Sequence, residues 1–423
     1  MSFLYNLTTY NDVDIWKVLE QNDYEESPNF IIKPHNHLLI IKYRKNKLNQ
    51  NNYETLGLWR SVVLDKKRKR IVAFSPPKSI PWHQFALKNK IENSEITLFE
   101  EGTMVNLFFD QETNEWEIST KSGIGGRYKY FQESPKTFRY MFLEVMNHTG
   151  LEFDMLNKLF CYSFVFQHPD NRIVVPHKKM RLILTNIYSF VIPNNMMVYE
   201  QPLSIHNKME ESREMDIIGD IITPLKKLNN TEYTNSWPKL FEKYQRMDME
   251  YTNVGIQVYN KYTGYRTKLR NPSYEQVKFL KGNSPKLQFQ YYNLRQADKV
   301  KEFLKYYPEY KQEFARLRLE MHKWTQQLFI NYQECYVKKY KPLKDFAYQF
   351  RPHMHQLHKL YLNEFRTVGY YVSKQEVIKY INSLHPAKLM YAINYAHRKN
   401  TIDIISNDTK LVEEQKGLNY EKK

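Results

Sequence analysis

Between residues 30 and 198 the apolar positions fall in short β-branched and aromatic runs bounded by turn residues, a spacing that predicts strands. The runs are His37 to Tyr43, Ser61 to Asp65, Arg70 to Phe74, Ile96 to Phe99, Met104 to Phe109, Trp116 to Thr120, Cys161 to Gln167 and Leu182 to Phe190. One helical pattern interrupts them: Ser134-Pro135 opens it, and Phe138, Phe142 and Val145 share a face through Met146. Residues Gln201 to Asn235 are polar and mixed, with a short amphipathic piece at Asp216 to Ile222. Strand character returns at Val254 to Tyr259 and Tyr265 to Leu269, joined by a Gly-containing hairpin loop from Asn260 to Gly264.

After Pro272 the period changes from two to 3.6, which predicts a helical domain. Helices are expected at Tyr274 to Leu280, Arg295 to Tyr306, Tyr310 to Lys338, Leu343 to Glu364, Lys374 to Leu384 and Pro386 to Arg398, with a frayed tail from Thr401. The expected fold class is therefore α+β, an antiparallel-sheet domain followed by an all-α C-terminal domain.

Charge changes this picture from architecture to partners. The 423 residues carry a formal net charge of +17, and between Asn271 and Asn400 there are 23 Lys and Arg against 10 Asp and Glu. Such a surplus favours a polyanion, RNA or DNA, bound through a basic cleft and through the helical domain. The 34 Tyr and 24 Phe serve a core first and bases second. Cys161 and Cys335 lie too far apart in sequence to suggest a disulfide framework or zinc knuckle, which fits an intracellular, cytoplasmic setting. The opening residues lack the pattern of a signal peptide, and no apolar run reaches the roughly 18 residues of a membrane span. Neither a membrane span nor a polybasic membrane anchor is expected.

Several features suggest chemistry only weakly. Gly123, Gly125 and Gly126 lack the Lys-Ser or Lys-Thr pair that opens a phosphate-cradling helix. His353, His355 and His358 have no acidic or cysteine partner nearby in sequence, so surface or nucleic-acid contact fits them better than a metal. Glu100 and Glu101, as strand neighbours, point to opposite faces and do not make a paired acid and base.

Three segments in a fixed order carry more information. They are Leu58-Trp59-Arg60-Ser61-Val62-Val63-Leu64-Asp65, Phe99-Glu100-Glu101-Gly102-Thr103-Met104-Val105, and Ser163-Phe164-Val165-Phe166-Gln167-His168-Pro169-Asp170-Asn171-Arg172-Ile173-Val174. Together they resemble the bacteriophage tRNA-repair type of RNA ligase, in which an Arg-Gly-Ile segment flanks a Lys-Glu-Asp-Gly-Ser nucleophile motif and a Phe-Glu-Phe-like strand runs into Pro-x-Asn-Arg-Ile-Val. Between the last two segments, Thr120-Lys121-Ser122-Gly123-Ile124-Gly125-Gly126 resembles the family's basic stretch. Further on, Val254-Gly255-Ile256-Gln257 and Lys268-Leu269-Arg270 resemble its Glu-Gly-x-Val and Lys-x-Lys strands. The helical domain is similar to that of ligase-like proteins of large cytoplasmic DNA viruses.

The resemblance implies a ligase-type nucleotidyltransferase domain over residues 56–271. Residues 1–55 are then an N-terminal extension with the first strands, 272–400 the basic helical domain and 401–423 a flexible tail. It also implies that the nucleophile position holds Phe99, and that two metal-supporting carboxylates are replaced by Val165 and Val254. A phenyl ring cannot form the phosphoramidate that a lysine amine forms with AMP. Cations remain at or near the family's positions: Arg60, Lys121, Arg172, Lys268 and Arg270. The expectation is a nucleic-acid-binding protein, RNA favoured, that holds phosphate without adenylyl transfer and needs no cofactor. One alternative is an active ligase that uses ATP and Mg²⁺ through a displaced lysine, Lys121 or Lys88. The other is a virion or scaffold protein that acts through contacts with other viral proteins, in a virus factory or particle.

Overall fold

The computed structural model describes residues 3–9, 27–129, 135–190, 196–203, 222–223, 225–228 and 235–399. The chain divides into two compact units, Met1–Phe279 and Leu280–Lys423. The amphipathic piece expected at Asp216 to Ile222 lies outside the described residues except for Ile222, and the expected tail lies wholly outside them.

The first unit is mixed α/β with antiparallel sheets. Its strands are β1 (Phe3–Asn6), β2 (Phe30–His35), β3 (Leu38–Tyr43), β4 (Val62–Asp65), β5 (Arg70–Phe74), β6 (Ser94–Leu98) and β7 (Thr103–Asp110). They continue with β8 (Glu115–Thr120), β9 (Gly123–Ile124), β10 (Phe160–Gln167), β11 (Arg181–Phe190), β12 (Met197–Gln201), β13 (Gly255–Asn260) and β14 (Arg266–Arg270). Three sheets result, with strand orders β1-β12-β11-β10-β7-β8-β9, β2-β3-β4-β5 and β14-β13-β6. Residues of the expected N-terminal extension thus supply whole strands to two of these sheets.

Burial explains the layering. All eight residues of β10 are buried, as expected for a central strand covered on both faces. Cys161 on β10 packs with the four-stranded sheet, in one core with Ile41, Val63 and Phe74. Tyr162, Phe164 and Phe166 belong to a second core, with Phe142 and Val145 of the helix Phe138–Thr149. A third core joins β6, β13 and β14 to the helices Trp82–Lys88 and Trp237–Tyr244 through Ile96, Val258, Leu269, Phe85 and Leu240. The Phe138–Thr149 helix starts later than its Pro suggested. Thr137 caps it by accepting from the Tyr140 amide at 3.2 Å, so the cap fixes the first turn.

The second unit is helical, with helices Leu287–Gln296, Val300–Tyr306, Lys311–Tyr332, Arg351–Leu360, Lys374–Ser383 and Pro386–Ile393. Two expected helices come out shorter. The segment Arg295 to Tyr306 breaks where Asp298 takes a left-handed φ of 54° and the Lys299 amide closes back on Leu294 O at 2.7 Å. The segment Leu343 to Glu364 is one 3₁₀ turn and then a helix that begins at Arg351, because Pro352 is tolerated in a first turn and not in an interior. Phe303, Phe314, Leu317, Leu328, Met354 and Leu357 fill the interior. Both cysteines are free thiols, and burial pushes Cys161 up to about 12. No helix among the described residues is long and apolar enough to cross a membrane.

Candidate phosphate-binding site

The strand β14 reads Arg266-Thr267-Lys268-Leu269-Arg270, and its period of two separates charge from core. Leu269 packs into the third core, and Thr267 is buried with its hydroxyl donating to Ile80 O at 2.8 Å. Arg266, Lys268 and Arg270 therefore share the opposite face. Arg266 is buried and fixed, with Nε and Nη2 donating to Pro77 O at 2.8 Å and Pro76 O at 3.0 Å. Arg60, just before β4, donates Nη1 to the same Pro76 O at 3.2 Å. The Pro76-Pro77 segment thus ties β14 to the segment that carries Arg60.

Burial acts first on these cations, and they then act on one another. Burial, then Arg270, Lys78, Arg60 and Arg266, bring the Lys268 amine from its ordinary 10.5 down to about 7. Burial followed by Arg266 lowers Arg60 to about 10. Lys78 is lowered by burial and then by Arg60, Arg266 and Arg270. Lys121 reaches in from the β8–β9 turn, with its amine 5.9 Å from the Tyr43 ring centre. It is lowered by desolvation first and then by Arg60, Lys78 and Lys45. Among the described residues, none of Arg60, Lys78, Lys121 and Lys268 forms an ion pair with a carboxylate. Arg270 is paired, with Glu275 at 2.5 Å.

Phe99 closes one side. It follows β6, and its amide donates to Gly255 O at 2.9 Å, which seats it beside β13. The half-buried ring lies 5.2 Å from the Arg270 guanidinium and 5.9 Å from the Lys268 amine. Gly102 then lets the chain cross onto the large sheet, since a Cβ there would meet Phe166 O and Val165 Cγ1 at 2.6 Å. Val165 sits mid-strand on β10 between Met104 and Ile183, and Val254 is buried just before β13.

The acidic groups nearby are partly committed. Glu101 is buried and accepts from the Val174 and Val175 amides at 3.0 and 2.9 Å. Burial alone would raise its carboxyl, but the His177 ring, these amides and Tyr274 outweigh burial and hold it below the usual range. Glu100 accepts from Gln167 Nε2 at 3.1 Å and lies 3.7 Å from Arg181. Valines stand at 165 and 254, and Glu101 keeps one buried oxygen, Oε2, without a hydrogen-bond partner. Among the described residues no three His, Cys, Asp or Glu side chains cluster as metal ligands. His353 is instead bonded to the Tyr380 hydroxyl at 2.8 Å, and His358 stacks on Tyr336 at 3.9 Å.

Arg60 and Lys78 act on both Lys121 and Lys268, and Arg270 acts on Lys268 and Arg60. Arg172 is not among the charges that act most strongly on them. Its Nε donates to Val174 O at 2.9 Å within the loop after β10, where Asn171 also reaches Thr103 Oγ1 at 2.7 Å. Lys88 is an exposed partner of Glu54 at 2.9 Å. The glycine-rich turn closes on its own strand, the Gly125 amide donating to Ile118 O at 2.8 Å. Two members of the cluster escaped the sequence reading. Arg266 was visible as the i−2 position on the face of Lys268, whereas Lys78 sits in a loop and carries no periodic signal.

No family model and no curated protein matches this chain. Among solved structures, it is similar to an RNA ligase of Naegleria gruberi. A lysine-to-methionine mutant with AMP and Mn aligns with a TM-score of 0.33 and 10% identity, over 48% of this chain and 57% of that one. A lysine-to-alanine mutant with ATP and Mn gives the same four values. A glutamate-to-alanine mutant with ATP and Mn gives 0.33, 11%, 48% and 58%. The chain spans a little over half the length of these neighbours.

Proposed function

We propose that this protein binds nucleic acid, RNA in preference, on a degenerate ligase-type nucleotidyltransferase domain that holds phosphate and transfers no adenylyl group. The observation that supports it is a set of cations joined through Arg60 and Lys78, which act on both Lys121 and Lys268, with none of the four ion-paired to a carboxylate among the described residues and a phenyl ring at residue 99 beside Lys268. Assembling like charges and partly burying them destabilises the free protein, and a bound polyanion relieves that cost. The order of the sequence motifs supports the ligase-type reading, and in that reading the strand before Gly102 presents no amine. The Phe99 ring offers a flat surface flanked by cations, suited to a base or to packing.

The test is titration of a fluorescent oligoribonucleotide with the full chain between about 50 and 200 mM salt. Affinity is expected to fall steeply, and Lys121→Gln with Lys268→Gln should flatten the logarithmic slope by roughly 1.4, about 0.7 per lost phosphate contact. Unchanged slopes overturn the site.

The near-neutral Lys268 amine favours a second reading, in which this lysine stands in as the ligase nucleophile. Its Nζ would attack the α-phosphorus of ATP, pyrophosphate would leave with the bond's electron pair, and the ammonium proton would pass to solvent. Incubation with α-labelled ATP and Mg²⁺ decides between the readings. No covalent label is expected, and a label abolished by Lys268→Met or Lys121→Ala overturns the binding-only assignment.

A further inference from the structure

In the helical unit, the turn before the helix Arg351–Leu360 and the face of the helix Pro386–Ile393 with the residues after it border an open groove of about 430 Å³. Tyr348 and Tyr391 on its walls are each 59% exposed, which forfeits the burial that usually places aromatic rings in a fold. Tyr395 lies 5.3 Å from Tyr348 with the ring planes 29° apart, so two near-parallel rings form one wall. Pro352 and Lys388 also line the groove, and among the described residues no Asp or Glu does. The Arg398 guanidinium stands 3.8 Å from the Tyr391 ring centre and donates to Tyr391 O. Neither Lys388 nor Arg398 forms an ion pair with a carboxylate among the described residues.

The same pairing of ring and cation runs back along the chain. Lys338 lies 5.5 Å from the ring of Tyr340, itself 72% exposed. Open rings call for a flat π partner, and cations without carboxylates call for an anion. A proline-rich peptide would use the rings and leave the charge unanswered, and a duplex keeps its bases stacked within itself.

We infer that this groove is a stacking surface for unpaired bases of single-stranded nucleic acid, with Lys388 and Arg398 on the adjoining phosphates. The surface is separate from the phosphate site of the first unit, and it stands or falls independently of that site. The test uses the full chain and oligomers of about 20 nucleotides, single-stranded and duplex, with unfolding profiles to verify each variant. Tyr348→Ala with Tyr391→Ala should weaken single-strand binding about tenfold or more and duplex binding about twofold at most, and the Phe replacements should restore it. If the alanine pair binds single strands as the natural protein does, or Phe fails to rescue it, the groove is not a stacking surface. Lys121→Gln with Lys268→Gln, measured in parallel, reports on the other site. Loss in those variants alone retires the groove, and loss in the tyrosine variants alone retires the phosphate site while the groove stands.

Discussion

The Arg270 guanidinium faces the Phe99 ring at 5.2 Å while Glu275 holds the same group at 2.5 Å. Phe99 therefore neighbours a cation whose charge is only partly answered, with the Lys268 amine on its other contact. Replacing the ring by an aliphatic side chain removes both cation–π contacts at no change in charge. Replacing it by lysine adds a third cation to the pair.

Phe99→Leu should lower stability by about 0.5–1 kcal/mol, and Phe99→Lys by more, as read by thermal unfolding. On the proposed ligase-type reading, in which residues 165 and 254 are lost carboxylate positions, Phe99→Lys should also remain unlabelled by α-labelled ATP. A covalent adduct in that variant would overturn that reading of residues 165 and 254.

Lys268 makes stability depend on pH with a definite sign. Between about 7, where the folded amine titrates, and the ordinary 10.5, the unfolded chain binds more protons, so stability from this group rises with pH through that window. Below about 7 both states are charged and the full penalty of burying the ammonium remains. Lys268→Met should therefore raise the melting temperature most near about pH 6 and by almost nothing near about pH 10.5. A gain equal at both pH values would place the penalty elsewhere.

Glu101 anchors the loop after β10. Glu101→Gln keeps the oxygen that accepts from Val174 and Val175, whereas Glu101→Ala should cost about 1–3 kcal/mol for each buried amide left unpaired. Denaturant titration separates the two variants. The carboxyl is held below its ordinary 4.5, so its stabilisation is present above that value and is lost as pH falls through the lower folded one. Glu101→Gln should remove this part of the acid sensitivity.

Gly102 has no room for a methyl group, because one neighbour at 2.6 Å is the backbone oxygen of Phe166 on the central strand. Gly102→Ala should destabilise by about 1–3 kcal/mol, with a melting point about 2–4 °C lower per kcal/mol in a domain of this size. Wild-type stability in that variant would mean that the chain crosses between sheets with more slack than the contact allows.

Most strand positions could be read from sequence, because a strand with one buried face writes its period into the chain. The Lys268-Leu269-Arg270 alternation is the clearest case, with Leu269 in the core and both cations on the other face. Helix ends were less legible. Thr137 capped one helix and Asp298 broke another, and both are single-residue backbone decisions that average periodicity does not register. The site was legible in part. Motif order pointed to Arg60, Lys121, Lys268 and Arg270, but Lys78 arrives through a loop and a proline segment whose path only tertiary contacts define. The tyrosines of the helical groove come from segments more than forty residues apart, a distance at which sequence periodicity has no memory.

Strand β14 also ties the cationic face to a ruler. Alternate residues of an extended strand recur about every 6.8 Å, so the interval between Arg266, Lys268 and Arg270 is fixed by backbone pitch. Substituting neighbouring side chains would leave that interval intact. Deleting one residue from the hairpin turn Lys261 to Gly264 would slide β14 by one place on β13 and turn Thr267 and Leu269 outward. The charges would then face the apolar interior, and an electropositive surface would be erased without the loss of a single lysine or arginine.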